Sequence, residues 1–440
     1  MKLLFIHQNF PGQYKHLVPA LLKRGHRIVA LGETPNLKRQ EALWNTWEGL
    51  RVVGYPTPKG CSDTTHRYLR SAEGDVRRGQ AVARLGLQLR HRDGFVPDVI
   101  CAHPGWGEAL FLKDVWPEAR LLSYQEFFYS GAGADIGFDP EFPSALDDLC
   151  RARIRNTSHL ITWEASDWGI SPTRWQRSRF PAFAQPRISV IHDGVDTHKV
   201  TPNPAAQLRL GRVAAPLTRD DEVITFTARN LEPYRGIHSF LRALPEIQRL
   251  RPKARIVVVG GDEVSYGRKL KSGDPSYRQR YLAEVVDRLD MSRIHFVGKI
   301  PYQQLIRVFQ LSSAHVYLTY PFVLSWSMLE AMAAGCLVIG SRTAPVEEVI
   351  DHGVNGLLVD FFSPPDIAAA VDRALCDRAA MEPLRERARQ SVVERFDLQS
   401  VCLPRQIDLL ETLAAGGTPP AVDEGVEVCQ PRPVVVGDGL

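Results

Sequence analysis

The sequence predicts an α/β fold: two Rossmann-like, doubly wound domains facing a cleft, each a parallel sheet with helices on both faces. Three observations predict it. Short apolar runs alternate with segments of helical spacing along most of the chain, which is the pattern of βαβ units. The alternation lapses once, in the Pro- and Ala-rich stretch "VTPNPAAQLRLGRVAAP" at 200–216, and then restarts. The length of 440 residues also exceeds what one ordinary core organises.

The elements follow in order. "KLLFI" is a first strand, "NFPGQY" a loop, "YKHLVPALLKRG" a helix and "HRIVALG" the next strand. "PDVICAH", "ARLLSY", "HLITWEA" and "RISVIHDGVD" read as further strands of the first half. After the expected linker come "VITFTAR" (strand), "GIHSFLRALPEIQRL" (helix), "ARIVVVGG" (strand), "YRQRYLAEVVDRL" (helix) and "IHFVGKI" (strand). "LIRVFQLSS" is helical and "AHVYLTY" a strand; a helix opens at Ser327, and "CLVIGS" and "NGLLVD" close the second sheet. Helical segments run from about Pro364 to about Ala414. The last stretch is rich in Gly, Pro and Val without period, and is expected to lack fixed structure. The expected divisions are 1–200, 201–385, a helical block 386–415 that packs back on the first domain, and a tail 416–440.

Composition narrows the function. Hydrophobic content of 44% with 24% charged residues describes a globular protein, and a net charge of +4 is too small to argue for nucleic acid. Seven scattered cysteines form no C-x-x-C pair and no zinc spacing. The N-terminal run is too short for a signal segment, and no apolar run approaches the roughly 20 residues that span a bilayer. A cytoplasmic protein is expected, peripheral to the membrane at most. The segment "SPTRWQRSRFP" carries Arg174, Arg177 and Arg179 around Trp175. It reads as a solvated face with one anchored Trp, or as a weak contact for an anionic membrane.

Several chemistries drop out. No G-x-G-x-x-G follows a strand, which leaves a nicotinamide dehydrogenase poorly supported. "GGDEVSYGRK" has the wrong spacing for a P-loop and places Arg268 where Lys is required. No D-x-D pair is present to hold a metal against a diphosphate, and "HRD" at His91 lacks every other kinase element.

What remains lies in the second half. "ARNLEPYRG" follows a strand and opens a helix, so Arg229 and Arg235 fall near the strand's C-terminal end, where open α/β sheets bind ligands. Two guanidinium groups there can neutralise a diphosphate. Ser325, Trp326 and Ser327 add amides and hydroxyls at another helix start, a further phosphate site. Glu330 has two readings: Ser327-x-x-Glu330 is a capping box, or the carboxylate faces a ligand.

These pieces, with "SVIHDGVDT", "FVGKI" and "SMLEAMAAGCLVIGS", resemble in order and spacing a retaining glycosyltransferase of the GT-B architecture, glycosyltransferase family 4 (group 1) type. The resemblance covers most of residues 1–400. It implies that Arg229 and Arg235 hold a donor diphosphate and that Glu330 binds ribose hydroxyls. It also implies that Gly298, Lys299 and Ile300 meet the base, that Gly12 lets backbone approach the diphosphate, and that His103 lies beside the donor sugar. Glu126 is a weaker acceptor-side candidate, with an exposed or capping role as the alternative. The first Glu of the family's Glu-x7-Glu motif is replaced by Phe322, so the contact that in the family helps place the donor sugar is missing.

The expected function is a metal-independent, retaining transfer of sugar from a nucleoside-diphosphate sugar, UDP ahead of GDP, to a glycan, lipid-linked or small-molecule hydroxyl acceptor. No cofactor and no metal are expected. The alternatives are a non-catalytic nucleotide- or glycan-binding protein, and an epimerase or hydrolase on the same fold.

Overall fold

The strand Lys2–Ile6 (β1) shows how the first sheet is built. Leu3 and Phe5 enter one apolar cluster, Leu4 and Ile6 the other, so both faces of the strand are buried. A strand covered on both faces must read as a continuous apolar run, which is why "KLLFI" does not alternate. In the computed structural model, which describes residues 1–211 and 215–421, the chain divides into two units: Met1–Asp193 with the segment from Cys402, and Gly194–Val401.

The first unit adds Arg27–Glu33 (β2), Leu50–Tyr55 (β3), Val99–Ala102 (β4), Arg120–Tyr124 (β5), Trp168–Ser171 (β6) and Ile188–Val190 (β7). All pair in parallel in the order β3-β2-β1-β4-β5-β6-β7, with Leu3 opposite Ile28 on one side and Val99 on the other. One face is covered by the helices Leu17–Lys23 and Leu403–Ala414, through Val18, Leu21, Ile407 and Leu410. The other is covered by Arg70–Asp93 and the segment around Trp116.

The second unit contains Val223–Asn230 (β8), Arg255–Gly261 (β9), Ile294–Gly298 (β10), Ala314–Tyr317 (β11), Val338–Ser341 (β12) and Leu357–Val359 (β13). The order is β10-β9-β8-β11-β12-β13, again all parallel. Its core includes Met328, Leu329 and Met332 of the helix Trp326–Ala333, and Ala388, Val392 and Phe396 of the helix Arg378–Phe396.

Three sequence expectations are corrected. "HLITWEA" is a helix, Thr157–Ala165, not a strand. Ser158, His159, Thr162 and Trp163 face inward at helical spacing, while Leu160 and Ile161 are exposed. Its β-branched and aromatic residues favour a strand locally, and packing overrides that preference. The stretch 200–216 is not the link between units. Leu208 and Leu217 exchange two backbone hydrogen bonds, and Leu210 and Leu217 pack with Val223, Val257 and Val308 inside the second unit. The chain crosses between units at Asp193/Gly194 and Val401/Cys402, so the expected block 386–415 is divided there. Of the expected tail 416–440, residues 422–440 lie outside the described residues.

Among the described residues no helix is long and apolar enough to cross a membrane. Trp175 is buried against Phe127, while Arg177 donates to Gln185 O and Arg179 to Gly133 O. The basic segment therefore anchors its own aromatic residue within the first unit.

Candidate functional site

In each sheet the strand order reverses once, between β1 and β4 in the first unit and between β8 and β11 in the second. Ligands bind beyond the strand C-termini at such a point, because the loops there run to opposite faces and leave a crevice. The candidate residues fall at or after the C-terminal ends of strands in their own sheet, and each unit carries its own cluster.

In the first unit His7 follows β1 and His103 follows β4. Gly12 has φ +51°, and a Cβ there would come within 2.7 Å of the His7 ring. Glycine is therefore required by the imidazole beneath it as well as by its dihedral. Nδ1 of His7 accepts from Asn9 N (2.9 Å), and Nδ1 of His103 accepts from Gly105 N (3.1 Å). A ring nitrogen that accepts carries no proton, so His103 bears its hydrogen on Nε2. That nitrogen lies 3.4 Å from Glu126 Oε2, outside hydrogen-bond alignment. The imidazole is sandwiched between Trp106 (4.3 Å) and Tyr124 (5.6 Å).

Glu126 is neither a cap nor fully exposed. Its Oε1 accepts from Gln13 Nε2 (3.1 Å), and its backbone carbonyl accepts from Gln176 Nε2 (2.7 Å). Burial opposes ionisation, but His103, His7 and Gln13 outweigh it and hold the carboxyl below its usual range. Sequence reasoning missed His7 and Gln13. The signal available was their position beside Gly12, immediately after a strand that becomes central.

Burial holds several imidazoles neutral: His7, His159 and His315 are pushed down to about 3 and His192 to about 4, with the neighbouring His103 adding to the effect at His7 and His159. Their folded values lie below the unfolded value, so the stability they contribute is present above about pH 6.5 and lost as pH falls. Each costs about 1.4 kcal/mol per pH unit within that window. Asp75, pushed up to about 6 by burial, and Glu108, also raised by burial, act in the opposite sense but are fewer. The unfolding midpoint is expected to fall steadily from pH 6.5 to 4.5. A flat midpoint over that range would contradict the burial of these groups.

In the second unit Arg229 lies near the end of β8 and is exposed. Arg235 closes the turn Pro233–Arg235 and is only 7% exposed. Gly236 follows with φ +68°, where a Cβ would meet Leu318 Cβ at 2.3 Å, so the turn admits only glycine before the helix Ile237–Leu250. The Nη1 of Arg235 donates to Thr319 Oγ1 (2.8 Å), Val323 O (3.3 Å) and Tyr317 OH (3.4 Å). Those acceptors come from β11 and the loop after it, so the buried guanidinium ties both sides of the switch point together.

The helix that carries Glu330 starts earlier than expected. Ser325 is the N-cap, its Oγ accepting from Ser327 N, and the helix runs Trp326–Ala333. The capping box Ser327–Glu330 does not form, because Glu330 lies in the second turn, out of reach of the cap. Its Oε1 instead accepts from Tyr302 OH (2.8 Å). Ser325 N donates to Tyr317 OH (2.9 Å), and the hydroxyls of Ser325 and Ser327 are 2.9 Å apart.

Gly298 ends β10 with φ +67°, Lys299 pairs with Glu263 (2.8 Å), and Ile300 packs on the cluster of Val257 and Val259. Phe322 is 7% exposed, its ring 5.5 Å from Tyr234 and 5.0 Å from Tyr266. Glu232, which sequence reasoning passed over, is fully buried and accepts from Ser265 N, Tyr266 N and Gly267 N. The Gly-rich "GGDEVSYG" stretch thus has these amides filled by an internal carboxylate, as backbone nests accept anions.

Two family models match the chain, glycosyl transferase family 4 group over residues 24–200 and glycosyl transferases group 1 over residues 213–391. A GDP-mannose-dependent alpha-(1-6)-phosphatidylinositol monomannoside mannosyltransferase of Mycobacterium tuberculosis is 29% identical over 289 residues, 62% of this chain and 66% of that protein. In other curated relatives the match spans about half of their own length, at 52%, 44% and 43%. Among solved structures, sucrose-phosphate synthase from Thermosynechococcus elongatus aligns with a TM-score of 0.70 at 17% identity, covering 95% of this chain and 100% of that one. Anabaena HepE, solved in complex with UDP-glucose, aligns with a TM-score of 0.63 at 17% identity, covering 94% and 100%. The likeness to these structures is one of fold: two Rossmann-like domains, the GT-B architecture.

Proposed function

Because the chain belongs to the group 1 glycosyl transferases, we propose that it is a retaining glycosyltransferase that takes its sugar from a nucleoside-diphosphate donor. The observation that carries this reading is Arg235, a guanidinium buried at the switch point of the second unit with Arg229 at the same strand end. A cation is buried there at a cost, and an anionic ligand offsets it. Ser325–Ser327 would supply amides and hydroxyls to the diphosphate, Glu330 would take the ribose hydroxyls, and the loop Gly298–Ile300 would meet the base.

Transfer would proceed by front-face substitution. The bond from the anomeric carbon to the diphosphate oxygen breaks, the acceptor oxygen bonds to that carbon on the same face, and the departing diphosphate takes the acceptor's proton. Arg229, Arg235 and the helix amides stabilise the charge that develops on the leaving group. His103 and Glu126, in the first unit, are assigned to the sugar and acceptor. No enzymic nucleophile is invoked. With no D-x-D carboxylate pair in the sequence, the reaction is assigned no metal, and the enzyme is placed in the cytoplasm.

UDP is ranked ahead of GDP as the donor nucleotide, with a glycan, lipid-linked or small-molecule hydroxyl as acceptor. The test is thermal stabilisation by a panel of UDP-, GDP- and dTDP-sugars, each with and without EDTA, followed by turnover of the hits. A ligand at 100 times its dissociation constant adds about 2.7 kcal/mol, and the shift should survive the chelator. No stabilisation by any donor would overturn the reading, and loss of turnover in EDTA with rescue by Mn²⁺ would overturn its metal-free part. The aromatic residue at 322 favours a second reading, a nucleotide-binding protein without transfer. Binding with no sugar consumed would select it.

A further inference from the structure

The buried carboxylate of Glu232 does more than close a loop. Its two oxygens accept three successive backbone N–H groups, from Ser265 (3.0 Å), Tyr266 (3.3 and 3.1 Å) and Gly267 (2.9 Å). The Asn230 amide, assigned so that its oxygen accepts from Ser265 Oγ (2.8 Å) and its nitrogen donates to the Arg229 carbonyl (2.9 Å), fastens the same turn to the end of β8. A surface turn held by this many bonds is fixed in position. The residue at its centre, Tyr266, is 36% exposed. Its ring packs at 5.0 Å on Phe322, which in turn meets Tyr234 at 5.5 Å. Its face lies 5.3 Å from the guanidinium carbon of Arg235.

That guanidinium has a divided set of donors. Its hydrogen bonds to Thr319, Val323 and Tyr317 all leave from Nη1. They fix one corner of a planar group and leave its rotation about that corner to be set by other contacts. The Tyr266 ring, over which the guanidinium carbon lies at 5.3 Å, supplies one.

We propose that Tyr266, clamped by Glu232 and backed by Phe322, is a positioning residue for the donor diphosphate: it fixes the plane of Arg235 so that Nε and Nη2 are presented to a phosphate. This rests on the donor reading above. It explains why a fully buried Glu is spent on a surface turn, and why the neighbour at 322 is an aromatic residue. A carboxylate beside Arg235 would compete with phosphate for its N–H groups as a full anion, whereas the neutral Tyr266 side chain orients the cation mainly through its ring face.

The experiment is calorimetric titration of the full chain and its variants with UDP and GDP, and with uridine and guanosine as controls. Tyr266→Ala is expected to bind the diphosphate that the parent prefers about tenfold more weakly, the loss expected of a partly desolvated cation–ring contact, and the matching nucleoside unchanged. Tyr266→Phe keeps the ring and should stay within about twofold of the parent. Glu232→Gln, which loosens the turn without removing the ring, should fall between them. Thermal unfolding of each variant identifies any that fails to fold, and the mild Phe substitution keeps the comparison decisive.

Tyr266→Ala binding the diphosphate as the parent does would overturn this inference alone. So would an equal loss of nucleoside and diphosphate, which would make the turn merely structural. A parent that binds neither UDP nor GDP overturns the donor reading, and this inference with it.

Discussion

Replacing Arg235 with Ala is expected to weaken binding of a nucleoside diphosphate by about a hundredfold and to leave nucleoside binding nearly unchanged. Charge-assisted hydrogen bonds contribute roughly 1.5–3 kcal/mol each, and a bidentate phosphate contact loses two of them. The substitution also reaches the fold. Thr319 Oγ1, Val323 O and Tyr317 OH lose a common donor inside a site where the arginine is only 7% exposed. A buried acceptor left without a donor costs roughly 1–3 kcal/mol, so the second unit should unfold at a lower temperature. Binding is therefore measured well below that transition. Arg235→Lys separates the two effects. It keeps a charge near the phosphate but cannot reproduce the planar fork, and should recover part of the affinity and little of the stability. Equal affinity of Arg235→Ala and the parent for UDP and for GDP would remove Arg235 from the donor site.

The same residue shows what the sequence could and could not express. Arg235 was legible as a candidate for a ligand contact because it follows a strand and precedes a helix, where position alone implies a strand C-terminus. That it is buried, and held from β11 through Tyr317 and Thr319, depends on strands distant in sequence becoming neighbours. Glu232 was illegible for the same reason, since its partners Ser265–Gly267 lie beyond the next strand and its role is set by their backbone rather than by any residue type. The two sheets were readable because strands buried on both faces must be continuously apolar, and "KLLFI" and "RIVVVGG" have no other simple reading.

Short segments at the margin were read less well. "HLITWEA" contains residues that suit a strand, and only the inward turn of Ser158, His159, Thr162 and Trp163 makes it a helix. At Ser325–Ser327 the residue types fit a cap at either serine. The choice of Ser325 moved Glu330 from a capping role to one shared with Tyr302, a residue of another helix. The pattern of His7, Gly12 and Gln13 in one loop carries no periodic signal, and it gains meaning only when His103 and Glu126 arrive beside it from β4 and β5.

Phe322→Glu is the second substitution with a large expected effect, because two physical outcomes compete. The Phe322 ring is 7% exposed and packs on Tyr234 and Tyr266. Truncation of such a ring costs about 3–5 kcal/mol, and an ionised carboxylate in its place adds a desolvation penalty of several more. Against this stands the nearby cation of Arg235, which lies over Tyr266 and donates to the carbonyl of Val323. An ion pair with it would return some of the loss, but would withdraw Arg235 from a phosphate. The packing term alone is as large as most single-residue effects on a domain, so destabilisation is expected to win. The second unit of the variant should unfold at a clearly lower temperature at pH 7. Burial raises the folded-state pKa of the new carboxyl above its unfolded value, so this penalty shrinks as pH falls and the acid becomes neutral. Phe322→Leu is the control, since it loses packing without adding charge and should show no such recovery at pH 5. If Phe322→Glu is instead as stable as the parent at pH 7 and its donor preference shifts toward fully hydroxylated hexoses, the side chain at 322 reaches the sugar. The aromatic cluster is then a specificity surface and not a support for Arg235.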